Sequence, residues 1–258
     1  ADECLSIIET AGLERSNIEF AKNERPASHI QKANIITNSG HVRPLDATFL
    51  INVNGYSSVI PLMYEKWELR DADIDIDYCI KNKIQVAGTF ENHPDLKIFD
   101  YCEQLIIKLC LEAGYEIAQN KIFVWSNDHF GDLAEKGFNA LGATTVIKST
   151  DVDLLYKHAA DTDYIFFCDY MSRENLIGEA GKIDLMKLKG QNNSIGLIHL
   201  SGMIDNEYAK RNNLYVYPDK KGFAVRMTAT LAHLGLQPTL YLQAAGLKVG
   251  ALMLEKKI

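Results

Sequence analysis

The stretch KIFVWSNDHFGDLAEKGFNALGATTVIK, residues 121–148, holds a strand, a turn, a helix and a second strand in succession. KIFVWS (121–126) is a nearly continuous apolar run of strand length, the pattern of a strand buried on both faces. DLAEKGFNALG (132–142) reads as a helix that closes on a glycine, and ATTVIK (143–148) as the next strand. The joints are short. Two strands joined through a helix in this way are parallel and form a βαβ unit.

Working downstream, DVDLLYKHAAD (151–161) reads as a helix and YIFFCDY (164–170) as a strand. ENLIGEAGKIDLMKLKG (174–190) is expected to be helical in part, SIGLIHLSG (194–202) a buried strand, MIDNEYAKRN (203–212) a helix and LYVYP (214–218) a short strand. Residues 226–256 read as helices broken around Gly235 and Pro238. Upstream, DLKIFDYCEQLIIKLCLEA (95–113) is the clearest helix, closed by Gly114. Before it come IQVAGT (84–89) as a strand, DYCIKNK (77–83) as a short helix, ATFLINV (47–53) as a strand rich in β-branched and aromatic residues, and Ile35-Ile36 as a short strand. TNSGHVRPLD (37–46) reads as a turn, NERPASH (23–29) as a break, and residues 2–23 as one or two short helices. The expected fold class is α/β: a Rossmann-like parallel-sheet domain, a second, smaller α/β domain and a long interdomain helix. The expected domains are 1–94 (smaller α/β), 95–118 (interdomain helix), 119–235 (Rossmann-like) and 236–258 (a C-terminal helix crossing back to the first).

Composition excludes several function classes. The chain has 258 residues, 47% apolar and 24% charged, with a net charge of −7. The basic runs are only pairs, Lys210-Arg211, Lys220-Lys221 and Lys256-Lys257, so no phosphate track for nucleic acid is expected. No apolar run reaches the length of a membrane span. The opening ADECLSIIETAGL lacks a basic region ahead of an apolar one, so it is not read as a signal peptide, and a cytoplasmic location is expected. Cysteines at 4, 79, 102, 110 and 168 form no CxxC pair and read as core thiols. The histidines show no metal-ligand spacing, so no metal is expected.

The turn at 126–131 bears on chemistry. A dinucleotide-binding turn places glycines for the tight bend, for the approach of the pyrophosphate and for helix–strand packing. Ser126-Asn127-Asp128-His129-Phe130-Gly131 keeps only the third glycine. Asp128 stands where the backbone should meet phosphate; its carboxylate would take the amide donors and repel the anion. It can be a helix cap alone, a cap beside a ligand, or part of an ordinary pyrophosphate site. A ribose-reading acid belongs about 20 residues on. Asp151 is the candidate, and it can equally cap the next helix.

Three further groups are candidates. Glu91, Asn92 and His93 follow a strand and precede the long helix, so they could line a cleft between domains; Glu91 and His93 are the acid–base candidates, and Asn92 or His93 could instead cap the helix. The turn Asn54-Gly55-Tyr56-Ser57 could face the same cleft, since ligand-facing loops follow strands in α/β folds. Arg226 could hold an anion. His199, inside an apolar strand, reads as a satisfied core histidine.

From about Asp71 to Pro218 the order of elements resembles the D-isomer-specific 2-hydroxyacid dehydrogenases. DADIDIDYCIKNKIQVAGT (71–89) is similar to that family's approach to its interdomain helix, and FENHPDLKIFDYCEQLIIKL (90–109) to the loop and helix that join its two domains. The resemblance implies an NAD or NADP cofactor, a cleft between domains and a homodimer through the nucleotide-binding domain. The chain departs from the family at four places. Beside the glycine turn, Ser201 stands where the family's carboxylate-binding arginine would be, in Ile198-His199-Leu200-Ser201-Gly202. Tyr217-Pro218-Asp219 puts aspartate where its catalytic histidine follows proline. The acid between those motifs has no clean counterpart. The expected function is therefore that of a diverged dehydrogenase-like protein, binding a small polar ligand or a protein partner in the cleft without classical hydride transfer. The alternatives are an NAD(P)-dependent oxidoreductase acting on a small carboxylate-bearing substrate, and a nucleotide- or S-adenosyl-methionine-dependent transferase.

Overall fold

The computed structural model describes residues 2–21, 25–38 and 42–256. The expected break at 23–29 and turn at 37–46 lie partly outside the described residues. The chain divides into two compact units, one of residues 1–90 and 242–258, the other Glu91–Tyr241.

The first unit contains α1 (Asp2–Thr10), α2 (Ala27–Lys32), α3 (Ala47–Leu50), β1 (Val59–Pro61), α4 (Ile76–Lys81) and β2 (Gln85–Ala87). β1 and β2 pair in parallel with Ile60 opposite Val86, and Ile35 adds a parallel bridge at Val59. Leu45, Phe49, Leu50, Ile60, Ile74, Cys79 and Ile84 form its core. Residues 47–53 correct the expected strand. Asp46 accepts hydrogen bonds from the Phe49 amide (3.0 Å) and the Thr48 hydroxyl (2.6 Å), and this cap starts a helical turn. Phe49 and Leu50 are buried while Ile51 is exposed. The β-branched content of the segment is overruled by its cap and by tertiary burial.

Asp73 is the polar anchor of this unit. Its carboxylate receives Arg43 (3.3 Å), Arg70 (2.9 Å) and the Tyr64 hydroxyl (3.0 Å). Burial, with Asp73 beside it, pushes the Tyr64 phenol up to about 12, so it stays a donor.

The second unit contains α5 (Ile98–Glu112), β3 (Lys121–Trp125), α6 (His129–Ala140), β4 (Thr145–Lys148), α7 (Val152–His158), β5 (Tyr164–Phe167), β6 (Asn175–Ile177), α8 (Leu185–Gln191), β7 (Gly196–His199), β8 (Met203–Ile204), α9 (Asn206–Arg211) and β9 (Val216–Tyr217). The strands β4-β3-β5-β7-β9 form one five-stranded sheet in that order, all parallel. Every residue of β5 and β7 is buried, as the apolar runs require. β6 and β8 form a separate parallel pair. The fold is thus α/β with a Rossmann-like parallel sheet and a second, smaller unit. Residues 174–190 begin with strand β6 and turn helical only at Leu185, where Asp184 caps α8 by accepting from the Met186 and Lys187 amides.

The last helix, α10 (Leu236–Leu254), begins in the second unit and runs into the first. The expected break falls at Gly235, between the helical turn Leu231–His233 and α10, whereas the helix passes through Pro238 unbroken. Pro238 is its third residue, in the first turn, where a missing N–H breaks no helical hydrogen bond. Within the first unit, Gly246 and Gly250 bring this helix close to its neighbours. A Cβ on Gly250 would lie 2.9 Å from an Ile35 methyl and 3.0 Å from Pro61, and one on Gly246 would collide with the Met63 sulfur. α5 lies wholly in the second unit.

Replacing Asp73 by alanine should lower the unfolding free energy by about 2–3 kcal/mol, because Arg43, Arg70 and Tyr64 would lose a shared charged acceptor. Urea denaturation checks this, and an unchanged midpoint would show the anchor to be dispensable.

Candidate functional site

In the five-stranded sheet, the chain leaves β3 through α6 to β4 on one side and returns through α7 to β5 on the other. That reversal makes the carboxyl ends of β3 and β5 the topological switch point, where open α/β sheets bind ligands. The two loops there are 126–128 and 168–171.

Asp128 joins them. One carboxylate oxygen accepts from the Phe130 amide (3.0 Å), capping α6, and from the Ser126 hydroxyl (2.9 Å). The other accepts from the amides of Tyr170 (2.6 Å) and Met171 (3.3 Å) in the loop after β5. Ser126 is buried and its oxygen accepts from the Asp128 amide (3.2 Å). The Phe130 and Tyr170 rings pack with centroids 5.4 Å apart across the same junction. Backbone amides that would face a phosphate are therefore turned onto an internal carboxylate. Gly131 has the role expected of a third glycine: a Cβ there would lie 2.7 Å from the Ser126 side chain and 3.1 Å from Lys148. Asn127 and His129 are exposed, and His129 packs edge-on against Phe99 with centroids 4.7 Å apart.

Lys148, the last residue of β4, is paired with Asp132 and Glu135 of α6, the latter at 3.2 Å. These carboxylates, Asp132 first, hold its ammonium above the usual lysine range. Asp151 caps α7 by accepting from the Asp153 (2.8 Å) and Leu154 (3.3 Å) amides. The donor set of a pyrophosphate site is thus spent on Asp128, and the residues present do not fit the phosphates of a dinucleotide.

Asp169 went unremarked in the sequence. It lies two residues beyond the end of β5, after Cys168, is buried, and is pushed up to about 6 by burial and by the charge of Asp128. An acid placed immediately after a fully apolar run was the available signal.

The remaining candidates separate. Glu91 is buried, whereas Asn92 and His93 are exposed. Neither Asn92 nor His93 caps α5, which starts at Ile98 behind Lys97 in the left-handed region (φ 54°). His93 instead accepts from the Asp95 amide at 3.3 Å. Asn54, Gly55, Tyr56 and Ser57 belong to the first unit and lead into β1 at its amino end, with Asn54 accepting from the Tyr56 amide (3.2 Å). The turn therefore follows α3 and not a strand. The backbone there is tight, since a Cβ on Gly55 would lie 2.6 Å from the Asn82 carbonyl.

At the carboxyl end of β7, His199 is wholly buried. Its Nε2 meets the Pro218 carbonyl at 3.1 Å and its Nδ1 the Thr228 hydroxyl at 3.0 Å. A carbonyl only accepts, so Nε2 carries the proton and Thr228 donates to Nδ1. This satisfied core histidine is pushed down to about 4 by burial. Ser201, also wholly buried, has a hydroxyl with no hydrogen-bond partner among the described residues. Asp219 turns away to α9, where it pairs with Lys210 and accepts from the Asn206 amide nitrogen (2.8 Å). Arg226 is exposed and lies 5.9 Å from the centroid of Phe223. Among the described residues no group of three metal-ligating side chains forms, and no helix is long and apolar enough to cross a membrane.

Searches with family models and against curated proteins return no match. Solved structures do match. D-lactate dehydrogenase from Escherichia coli is 12% identical with a TM-score of 0.55, over 96% of this chain and 92% of that one. D-lactate dehydrogenase with NAD+ from Lactobacillus jensenii is 14% identical with a TM-score of 0.54, over 98% and 92%. The chain shares the fold of the 2-hydroxyacid dehydrogenases. The pyruvate reductase of Chlamydomonas reinhardtii is a further likeness, 13% identical with a TM-score of 0.51 over 85% and 73%. At these identities the likeness is one of dehydrogenase-like architecture alone.

His199 makes acid stability testable. Its pKa is lowered on folding, so its stabilising effect is whole above the unfolded value near 6.5 and is lost as pH falls towards 4. Asp169, raised on folding, works oppositely: its contribution is present below 3.8 and is lost as pH rises through about 6. The His199→Gln variant should lose the decline between pH 6.5 and 4 while keeping the opposite trend from Asp169. Urea unfolding across this range is the measurement; an unaltered pH profile would remove His199 from the account.

Proposed function

We propose that this protein is a diverged dehydrogenase-fold protein that binds a small polar ligand or a protein partner and does not carry out hydride transfer with a dinucleotide. The observation that carries this reading is the Asp128 carboxylate, which accepts from Phe130, Tyr170, Met171 and Ser126 where a pyrophosphate would need those donors. A negative charge already seated there both competes for the amides and repels phosphate. Two further observations support it. Ser201 brings no cation to the position of the family's arginine, and Asp219 is an ion-paired carboxylate drawn to Lys210. A hydride transfer to a 2-oxoacid needs a cation for the carboxylate and a proton donor, and those two positions supply neither.

The oxidoreductase alternative would need Glu91 or His93 to move the proton and Arg226 to hold the substrate. Nothing in the geometry of the exposed His93, engaged with Asp95, favours it over the first reading. The transferase alternative has no residue that favours it.

Calorimetric titration with NADH and with NADPH is the test. Neither should saturate up to about 1 mM, a binding free energy weaker than about −4 kcal/mol. Micromolar affinity for either would overturn the reading of Asp128 and put the oxidoreductase first.

A further inference from the structure

The segment after β9 carries a feature unlike the rest of this acidic chain. Lys220, Lys221, Phe223, Arg226, Met227 and Thr228 line one pocket of about 350 Å³. Three of the six are cations, in a protein of net charge −7. Among the described residues none of the three takes part in an ion pair. Several other lysines of the second unit are paired, among them Lys136 with Glu103, Lys148 with Asp132 and Glu135, Lys182 with Glu174, and Lys210 with Glu207 and Asp219. Lys97, Lys157, Lys187 and Lys189 are in no ion pair among the described residues, but none of them lines this pocket. The acid nearest in sequence, Asp219, is held by Lys210 and Asn206, and Lys210 keeps it below the usual carboxylate range. The carboxylate that adjoins Lys220 in sequence is thus already paired.

The segment is held in place. The Gly222 amide donates to the Ile204 carbonyl (2.8 Å), the Val225 amide to Tyr170 (3.2 Å) and the Thr228 amide to Leu200 (2.6 Å). A Cβ on Gly222 would overlap the Gly202 carbonyl, so the backbone lies directly on the loop after β7. Phe223 lies 6.0 Å from the Lys221 ammonium and 5.9 Å from the Arg226 guanidinium, measured to its ring centroid. These cation–π contacts position two charges beside a half-exposed apolar ring. Thr228 gives its hydroxyl proton to His199 and so offers the pocket only an acceptor. Attraction for an anion therefore rests on the cations.

We infer that this pocket binds a compact organic anion bearing at least two negative charges, a phosphomonoester or a dicarboxylate. Three unpaired cations in a small concavity repel one another and concentrate their field on its mouth, and a dianion relieves both. The guanidinium of Arg226 suits the paired oxygens of either group. The volume is at the small end for metabolite sites, which favours a small ligand over a segment of a macromolecule. The inference deepens the ligand-binding reading above and rests on it. Its failure is separable, because dinucleotide titration interrogates the turn at Asp128 and small-anion titration interrogates this pocket.

The full-length chain would be titrated by calorimetry with inorganic phosphate and, separately, with succinate, at pH 7.5 and a constant ionic strength of about 0.1 M. At least one should bind saturably with a Kd below about 1 mM. The double variant Lys220→Gln/Arg226→Gln, with both changes at exposed side chains, should weaken it at least about tenfold. Lys81→Gln, a change of an exposed lysine in the first unit, should leave it unaltered. Saturation by phosphate alone assigns a phosphate-bearing ligand, and saturation by succinate alone a dicarboxylate; each supports the site. Absence of saturable binding by both anions would overturn it. So would undiminished binding in the double variant, or an equal loss in Lys81→Gln, which would mark a general charge effect.

Discussion

A single carboxylate, Asp128, organises the carboxyl end of the parallel sheet. A helix start leaves amides unsatisfied, and so does a loop that must turn sharply at the end of a buried strand. In this fold the two sets face each other across the switch point between β3 and β5. Some negative group has to meet them, or each must find water. Here the chain supplies that group itself, and the loop after β5 is thereby fastened to the start of α6. The neighbouring residues follow from this. Ser126 must be buried to reach Asp128, Gly131 must lack a side chain to clear Ser126, and Asp169 shares a dry region with a like charge and is pushed up to about 6.

Much of this was legible because the strands are buried on both faces. Continuous apolar runs such as Phe123–Trp125 and Tyr164–Phe167 admit few other readings, and the short joints between them force the crossover helices. The one retained glycine, Gly131, was recognisable by position. Elsewhere the local signals competed. In residues 47–53 the branched and aromatic side chains favour a strand, yet an aspartate cap and the burial of Phe49 and Leu50 select a helical turn. Pro238 looked like a break because proline is costly inside a helix, but its cost vanishes in the first turn, and the position of that turn is set by tertiary contacts.

The site was less legible for a different reason. That Asp128 would cap α6 was readable; that its second oxygen would reach Tyr170 and Met171 depends on strand order, which spacing alone leaves open. Glu91 and His93 are two residues apart, yet one is buried and the other exposed. Lys220 and Lys221 passed for ordinary surface charge, and Arg226 was read as an anion holder apart from them, because sequence reports neither their shared concavity nor the diversion of Asp219 towards Lys210.

The first unit is written in two separated pieces, and this has a consequence for how the chain matures during synthesis. Residues 91–241 form a continuous stretch and can fold as they leave the ribosome. The surface of Ile35, Pro61 and Met63 waits until Gly246 and Gly250 have been made. Throughout the translation of the whole second unit, that apolar face and the two short strands beside it stay uncovered. Vectorial synthesis therefore makes the amino-terminal piece, which precedes the second unit in the chain, the last to be completed.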